Sequence, residues 1–362
     1  MSEPVSRRSR SGRAAAIRSA VIRHHRFPLA SVLSLCSVLS ILSLGASTVQ
    51  AQESADPQTR YSIPTDKAAS RLLLDIARVG DRLVAAGDRG HIIYSDDEGA
   101  TWTQAKVPTR QMLTALSFID ARQGWAVGHD ALILATSDGG QTWTRQYEER
   151  EREAPLLDVW FENAEHGIAV GAYGALLETL DGGQTWDDVS DRVDNEDGYH
   201  LNAIGTAGGA LFIVGEMGGI FRSDDQGQTW KRLESPYEGS LFGVVDGGQP
   251  GAVVVFGLRG HMFRSADLGD SWENVRIVDG GNVFEAGLAD GSLLADGRVA
   301  VVGHSGAVLT SEDHGQTFAL VSRPDRRSLA GVTSDSRGNL ILVGQGGVRI
   351  AAPTGADLAQ RP

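Results

Sequence analysis

Cysteine is almost absent: one occurs in 362 residues, Cys36, inside an apolar run near the start. Leu35 precedes it rather than a small residue, which argues against a lipid-modified cysteine. The rest of the chain has no thiol, so disulfides, thiol catalysis and zinc-thiolate sites are excluded there. Of the nine histidines only His24 and His25 are adjacent, and the rest stand singly with no ligand spacing. Basic side chains also become scarce after the start. Arg7, Arg8, Arg10, Arg13, Arg18, Arg23 and Arg26 form a lead-in opposed only by Glu3. Without residues 1–51 the chain keeps 26 basic against 45 acidic side chains, a net charge of −19. Such a surface repels nucleic acid and anionic lipid heads. It leaves proteins, cations or neutral sugars as partners.

The basic lead-in is followed by an uncharged apolar run, Leu29 to Val49. Val49-Gln50-Ala51 then precedes the polar stretch Gln52 to Asp56. This order predicts an export signal over 1–51, cleaved to give a periplasmic or secreted protein, and a flexible lead over 52–58. The run is also long enough to span a bilayer, so an uncleaved membrane anchor is the second reading.

One phrase organises the remainder: Ser/Thr-x-Asp-x-Gly-x-Thr-Trp. It runs Ser95 to Trp102, Thr136 to Trp143, Thr179 to Trp186 and Ser223 to Trp230. A fifth copy, Ser265 to Trp272, has Ser271 for threonine, and a sixth, Ser311 to Phe318, ends in phenylalanine. The aspartates are Asp97, Asp138, Asp181, Asp225, Asp267 and Asp313, a period that suits a four-stranded propeller blade. The second repeat predicts strands over Leu113–Asp120, Gly124–Gly128, Ala131–Ser137 and Thr142–Tyr147, bounded by Gly and Asp turns. The phrase is the hairpin between the third and fourth strands. Its aspartate accepts N–H groups of the turn, and its glycine takes the positive φ of the reversal. Trp102, Trp143, Trp186, Trp230, Trp272 and Phe318 each supply an apolar plate to pack beside the next blade. These are fold determinants, not catalytic acids.

A seventh copy is incomplete. Leu329–Thr333, Asn339–Gly344 and Gly347–Ala351 give three strands, and Ala351-Ala352-Pro353-Thr354 replaces the turn phrase. At the other end, Arg60 to Thr65 followed by Leu72 to Asp75 parallels Lys106 to Thr109 followed by Leu113 to Leu116. The expectation is an all-β, seven-bladed β-propeller over 59–352, closed by an N-terminal strand that completes the last blade. Residues 353–362 are a tail.

The wider repeat places Leu-x-Asp-Val-x-Phe and Val-Gly-x-x-Gly-x-Ile/Leu ahead of each turn phrase. Leu157-Asp158-Val159-Trp160-Phe161 followed by Val170-Gly171-Ala172-Tyr173-Gly174-Ala175-Leu176 is the clearest copy, and Gly124 to Gly128 is another. Over nearly all of residues 60–351 this resembles the photosystem II stability/assembly factor family, an Asp-box propeller family. The resemblance implies a seven-bladed, non-catalytic scaffold that binds a membrane-protein assembly intermediate. Plant and cyanobacterial members use an arginine-rich patch; no ring of arginines recurs here at one repeat position.

An enzyme reading finds little support. A sialidase carries Phe/Tyr-Arg-Ile-Pro ahead of its first Asp-box, and here Tyr61-Ser62-Ile63-Pro64 has serine in place of the arginine. Tyr147-Glu148 and Tyr237-Glu238 are neighbours on a strand and point to opposite faces. A glycosidase with two facing carboxylates is left open by the abundance of acids. Asp191 to Gly198 lacks the spacing of a calcium loop, and Glu148 to Glu153 reads as an exposed charged loop. No cofactor or metal is expected. The turns between second and third strands share one face with the blade-to-blade connections, and there the repeat varies: Asp88, Arg89, His129, Asp130, Tyr173, Glu216, Met217, Arg259, His304 and Gln345. They are expected to ring the channel mouth and contact a partner. That partner is a protein, in a membrane or envelope complex, bound by a monomer; a glycan is the alternative.

Overall fold

The computed structural model describes residues 59–358, so the expected signal and lead lie outside the described residues. The described chain forms seven antiparallel meanders, six of four strands and the last of three. Blade 2 shows the pattern: Leu113–Phe118, Gly124–Gly128, Leu132–Thr136 and Thr144–Tyr147. The boundaries differ from the sequence expectation by at most two residues. An extra hairpin, Val278–Asp279 with Asn282–Val283, is inserted between blades 5 and 6.

The first strand of each blade is innermost, and in all seven blades its pairing with the second strand slips by one residue near the start. The slip is a β-bulge. It sits opposite the glycine of the Val-Gly phrase, and the reason is space. A Cβ on Gly87 would stand 2.2 Å from the carbonyl oxygen of Leu72, and one on Gly257 would stand 2.2 Å from that of Ser240. The same carbonyls accept the N–H of the next residue, Asp88 and Leu258, at 3.0 and 2.9 Å. The glycine therefore lets the turn between second and third strands be bonded directly to the inner strand.

The Asp-box works as the residue types require. Asp225 accepts the Thr229 N–H at 2.9 Å and the Thr229 hydroxyl at 2.7 Å, while Ser223 donates to it at 2.7 Å and accepts the Gly227 N–H at 2.7 Å. The other five boxes repeat these bonds. Hydroxyl donors, Thr101 and Ser271 first, hold Asp97 and Asp267 down at about 2.

The aromatic that ends the box packs against the preceding blade, not the next one. Trp143 of blade 2 joins Val79, Val84 and Ile92 of blade 1, and Trp230 of blade 4 joins Ile168 and Val170 of blade 3. Trp102 of blade 1 reaches back to Ile341 and Val343 of blade 7. The box turn leans back over the earlier blade: a Cβ on Gly140 would touch Val84.

Ring closure also departs from the expectation. Residues 60–65 form no strand with blade 7; Ser62 donates to the Val107 carbonyl at 2.9 Å and Thr65 to Gln104 at 2.9 Å, both in blade 1 or just after it. The outer edge of the last blade is instead met by the C-terminal side, where Asp357 bridges Ala351 antiparallel. Blades 7 and 1 close by packing and side-chain bonds. Leu73, Leu83 and Ile93 bury against Ile341 and Val343. Arg78 donates to the Ser334 carbonyl at 2.8 Å and pairs with Glu98, which also accepts the Ser336 N–H. The parallel between the N-terminal segment and Lys106–Thr109 thus reflects a shared connector, since neither stretch is a strand.

Candidate functional site

Each turn between second and third strands has two left-handed residues in succession. At blade 1 these are Arg89 (φ 55°) and Gly90 (φ 69°), with His91 donating to the Asp88 carbonyl at 3.0 Å, a type I′ turn. Glycine is the easy residue at the first of these positions. Yet only blade 7 has it there, at Gly346; the others carry Arg89, Asp130, Tyr173, Met217, Arg259 and Ser305. A side chain held in this region costs about 1 kcal/mol, and such outliers gather where the side chain is used.

Arg89, His129, Tyr173, Met217, Arg259, His304 and Gln345 lie on this face, and all seven are open to solvent. Asp88, Asp130 and Glu216 turn inward: Asp88 faces His91, Asp130 accepts from Gln111, and Glu216 accepts the His200 N–H at 3.0 Å. The ring stands one strand outside the channel wall, which is built by the inner strands alone.

Two further features of this face escape a search for periodicity. Arg71, Arg89 and Arg110 line a groove of about 450 Å³ with Ile63, Thr65 and His91. Arg326 and Arg327, on the connection entering blade 7, stand beside the turns at Gly306 and Gly346. Among the described residues Arg71, Arg110, Arg326 and Arg327 form no ion pair, and Arg89 has only Asp88 at 3.8 Å. The His91 ring is buried, with Nδ1 lacking a hydrogen-bond partner. The second feature is apolar. Tyr173 (68% exposed), Met217 (54%) and Leu258 (41%) crown blades 3 to 5, and Val278 and Val283 of the inserted hairpin extend the row. The arginines come from three different repeat positions, which is why no ring of them is visible along the chain.

The central channel encloses about 320 Å³ and holds three carboxylates that the sequence reading passed over as sites. Asp75 accepts the Ile76 N–H at 2.6 Å and, from the next blade, the Leu116 N–H at 2.7 Å. Asp158 joins Val159 to Ile204 in the same way, at 2.8 and 2.9 Å, and Asp290 accepts the Val332 N–H at 3.2 Å. Burial in the ring pushes Asp75 up to about 6 and Asp158 to about 7, against these N–H bonds, and raises Asp290 well above the carboxylate range, with the Asp75 charge adding to the last two. Both oxygens of Asp75 and Asp158 accept backbone N–H groups, which ties neighbouring inner strands together. Tyr147 gives its hydroxyl to Glu149, not Glu148, and burial with that bond raises it to about 12, the wrong direction for a nucleophile. Glu148 is not exposed as expected but pairs with Arg145 and Arg150.

Comparison with known proteins bears on this face. The family described as "Photosynthesis system II assembly factor YCF48" matches residues 99–156 and 146–281. The photosystem II assembly protein Ycf48 of Synechococcus sp. (strain JA-3-3Ab) is 39% identical over 176 residues, 47% of each chain. The chloroplast photosystem II stability/assembly factor of Arabidopsis thaliana is 31% identical over 117 residues, 29% of this chain and 28% of the relative. The chain thus spans less than half the length of the curated relatives it matches. Among solved structures, "YCF48 bound to D1 peptide" superposes with TM-score 0.61 at 19% identity, covering 78% of this chain and 94% of that one. A streptogramin B lyase reaches TM-score 0.64 at 12% identity, covering 80% of this chain and 97% of that one, so the shape alone does not select an activity.

Proposed function

From the premise that this chain belongs to the photosystem II assembly factor YCF48 family, we propose that it is a non-catalytic propeller scaffold that holds an extramembrane segment of a membrane protein against the face described above. The observation that carries this is the division of that face. Unpaired arginines lie over blades 7 and 1, and exposed Tyr173, Met217 and Leu258 lie over blades 3 to 5. In a chain otherwise strongly acidic, that combination suits a segment with acidic and apolar side chains, steered by charge and anchored by aromatic and methionine contacts. A YCF48 structure solved with a D1 peptide supports a peptide as the kind of ligand. With the export signal that the sequence predicts over 1–51, we place this work in the cell envelope, where the protein assists assembly or operation of its client.

The test is affinity purification of the tagged protein from its own envelope fraction, with mass spectrometry of what co-purifies. A stoichiometric membrane protein, lost when Tyr173, Arg259 and His304 are replaced together, supports the scaffold. A clean protein, or a partner retained by that variant, overturns it and directs attention to glycan arrays and glycosidase substrates.

A further inference from the structure

Around the channel, neighbouring inner strands are joined by side chains in a regular succession. Blade 1 reaches blade 2 through Asp75, and Thr114 of blade 2 donates to the Leu156 carbonyl of blade 3 at 2.7 Å. Blade 3 reaches blade 4 through Asp158, and Asn202 of blade 4 donates to the Leu241 carbonyl of blade 5 at 2.8 Å. Asp290 joins blade 6 to blade 7. The blade 5 to 6 junction has Phe242 and Gly243 at these positions and no such bond among the described residues; blade 7 has Ala330 and Gly331. Three of the five joints therefore carry a charge.

Among the described residues, no basic side chain faces these carboxyls. The channel wall contributed by all seven inner strands contains no Lys, Arg or His; apart from the three aspartates it is Leu, Val, Ile, Ala, Gly and Phe, with Thr114 and Asn202. The three do not make a metal centre either, since no group of three acidic or histidine side chains among the described residues is arranged to hold an ion. We propose that Asp75, Asp158 and Asp290 act as one proton-controlled clamp on the inner ring. With protons bound the ring is tight; with all three ionised it is loosened by like charges enclosed in a single apolar channel, and the unjoined seam between blades 5 and 6 is the first to yield.

The sign follows from linkage. A carboxyl raised in the folded state favours the protonated folded form, so its contribution is complete below about 4 and is lost as pH rises through about 6 to 7. Urea unfolding of the full chain at about pH 5 and about pH 8 reads this directly. For the wild type we expect the unfolding equilibrium constant to rise on the order of a thousandfold toward the higher pH. The triple variant D75N/D158N/D290N, which keeps one acceptor oxygen at each joint, should retain less than about a tenth of that change. If the triple variant does not fold, D75N and D158N singly should each remove roughly a factor of ten or more. Carbon-detected carboxyl titration of the wild type gives a second readout, with midpoints for these residues above about 5. A wild-type constant that is flat or falls with pH, variants that keep the full dependence, or midpoints in the ordinary carboxylate range would overturn the clamp.

Discussion

Replacing Gly87 by alanine should damage the fold far more than its single added methyl suggests. Gly87 is extended, so its backbone does not demand glycine; the obstacle is the neighbouring strand. The new Cβ would lie 2.2 Å from the Leu72 oxygen and 2.6 Å from the Leu73 Cα. Both are backbone atoms, so no side chain can swing aside, and a tolerable contact requires the strands to part by about 1 Å. That movement would stretch the Asp88 N–H bond to Leu72 and shift Asp75, two residues beyond Leu73, from the bond that joins blade 1 to blade 2. Overpacking of this kind costs about 1–3 kcal/mol, and the loss of a hydrogen bond adds about 1 kcal/mol. Gly287→Ala is the control. There the nearest atoms belong to the His304 ring at 3.6 Å or beyond, an ordinary contact, so the change should be neutral or stabilise by less than about 1 kcal/mol. Urea unfolding of both variants, read by tryptophan fluorescence with matched m-values, makes the comparison. A Gly87→Ala protein within about 0.5 kcal/mol of wild type would refute the packing argument.

Other expectations follow from the same geometry. Deleting residues up to Thr65 should leave hydrogen exchange of Arg349–Ala351 unchanged, because that segment bonds to Gln104 and Val107; faster exchange there would restore the N-terminal strand as the closure. Arg78→Ala removes the bond to Ser334 and the Glu98 pair, and should cost about 1–3 kcal/mol with increased exchange confined to the blade 7 to blade 1 seam. Trp143→Ala empties a buried site between blades 1 and 2 and should cost about 3–5 kcal/mol by urea unfolding. Because hydroxyl donors depress Asp97 and Asp267 to about 2, the Asp-box contribution is present above about 4 and lost as pH falls toward 2; acid unfolding followed by circular dichroism should fall in that range.

The blades were legible because they repeat. The Asp-box fixes a turn by bonds within eight residues, and the Val-Gly phrase marks a close approach that no larger residue permits, so both recur wherever the local geometry does. What did not repeat was not legible. Arg71 precedes a strand, Arg89 occupies a turn and Arg110 lies on a connection, and only the winding of blades 1 and 2 brings them to one groove. Asp158 was visible within the Leu-x-Asp-Val phrase, but its role depends on a bulge and on an N–H of the next blade, 46 residues away. The direction of the box tryptophans depends on how the blades lean, and the closing seam on contacts between opposite ends of the chain. Neither is a local property.

The central claim, that a client is held on the face of the second-to-third-strand turns, is tested most directly by photocrosslinking from the two faces. Met217 and Leu180 are both well exposed, the first on that face and the second in an Asp-box turn on the opposite one. A photoreactive phenylalanine analogue placed at each, in cells, should join position 217 to a membrane protein and leave position 180 without that product. Crosslinks to the same protein from position 180 alone, or equally from both, would contradict the assignment of the binding face.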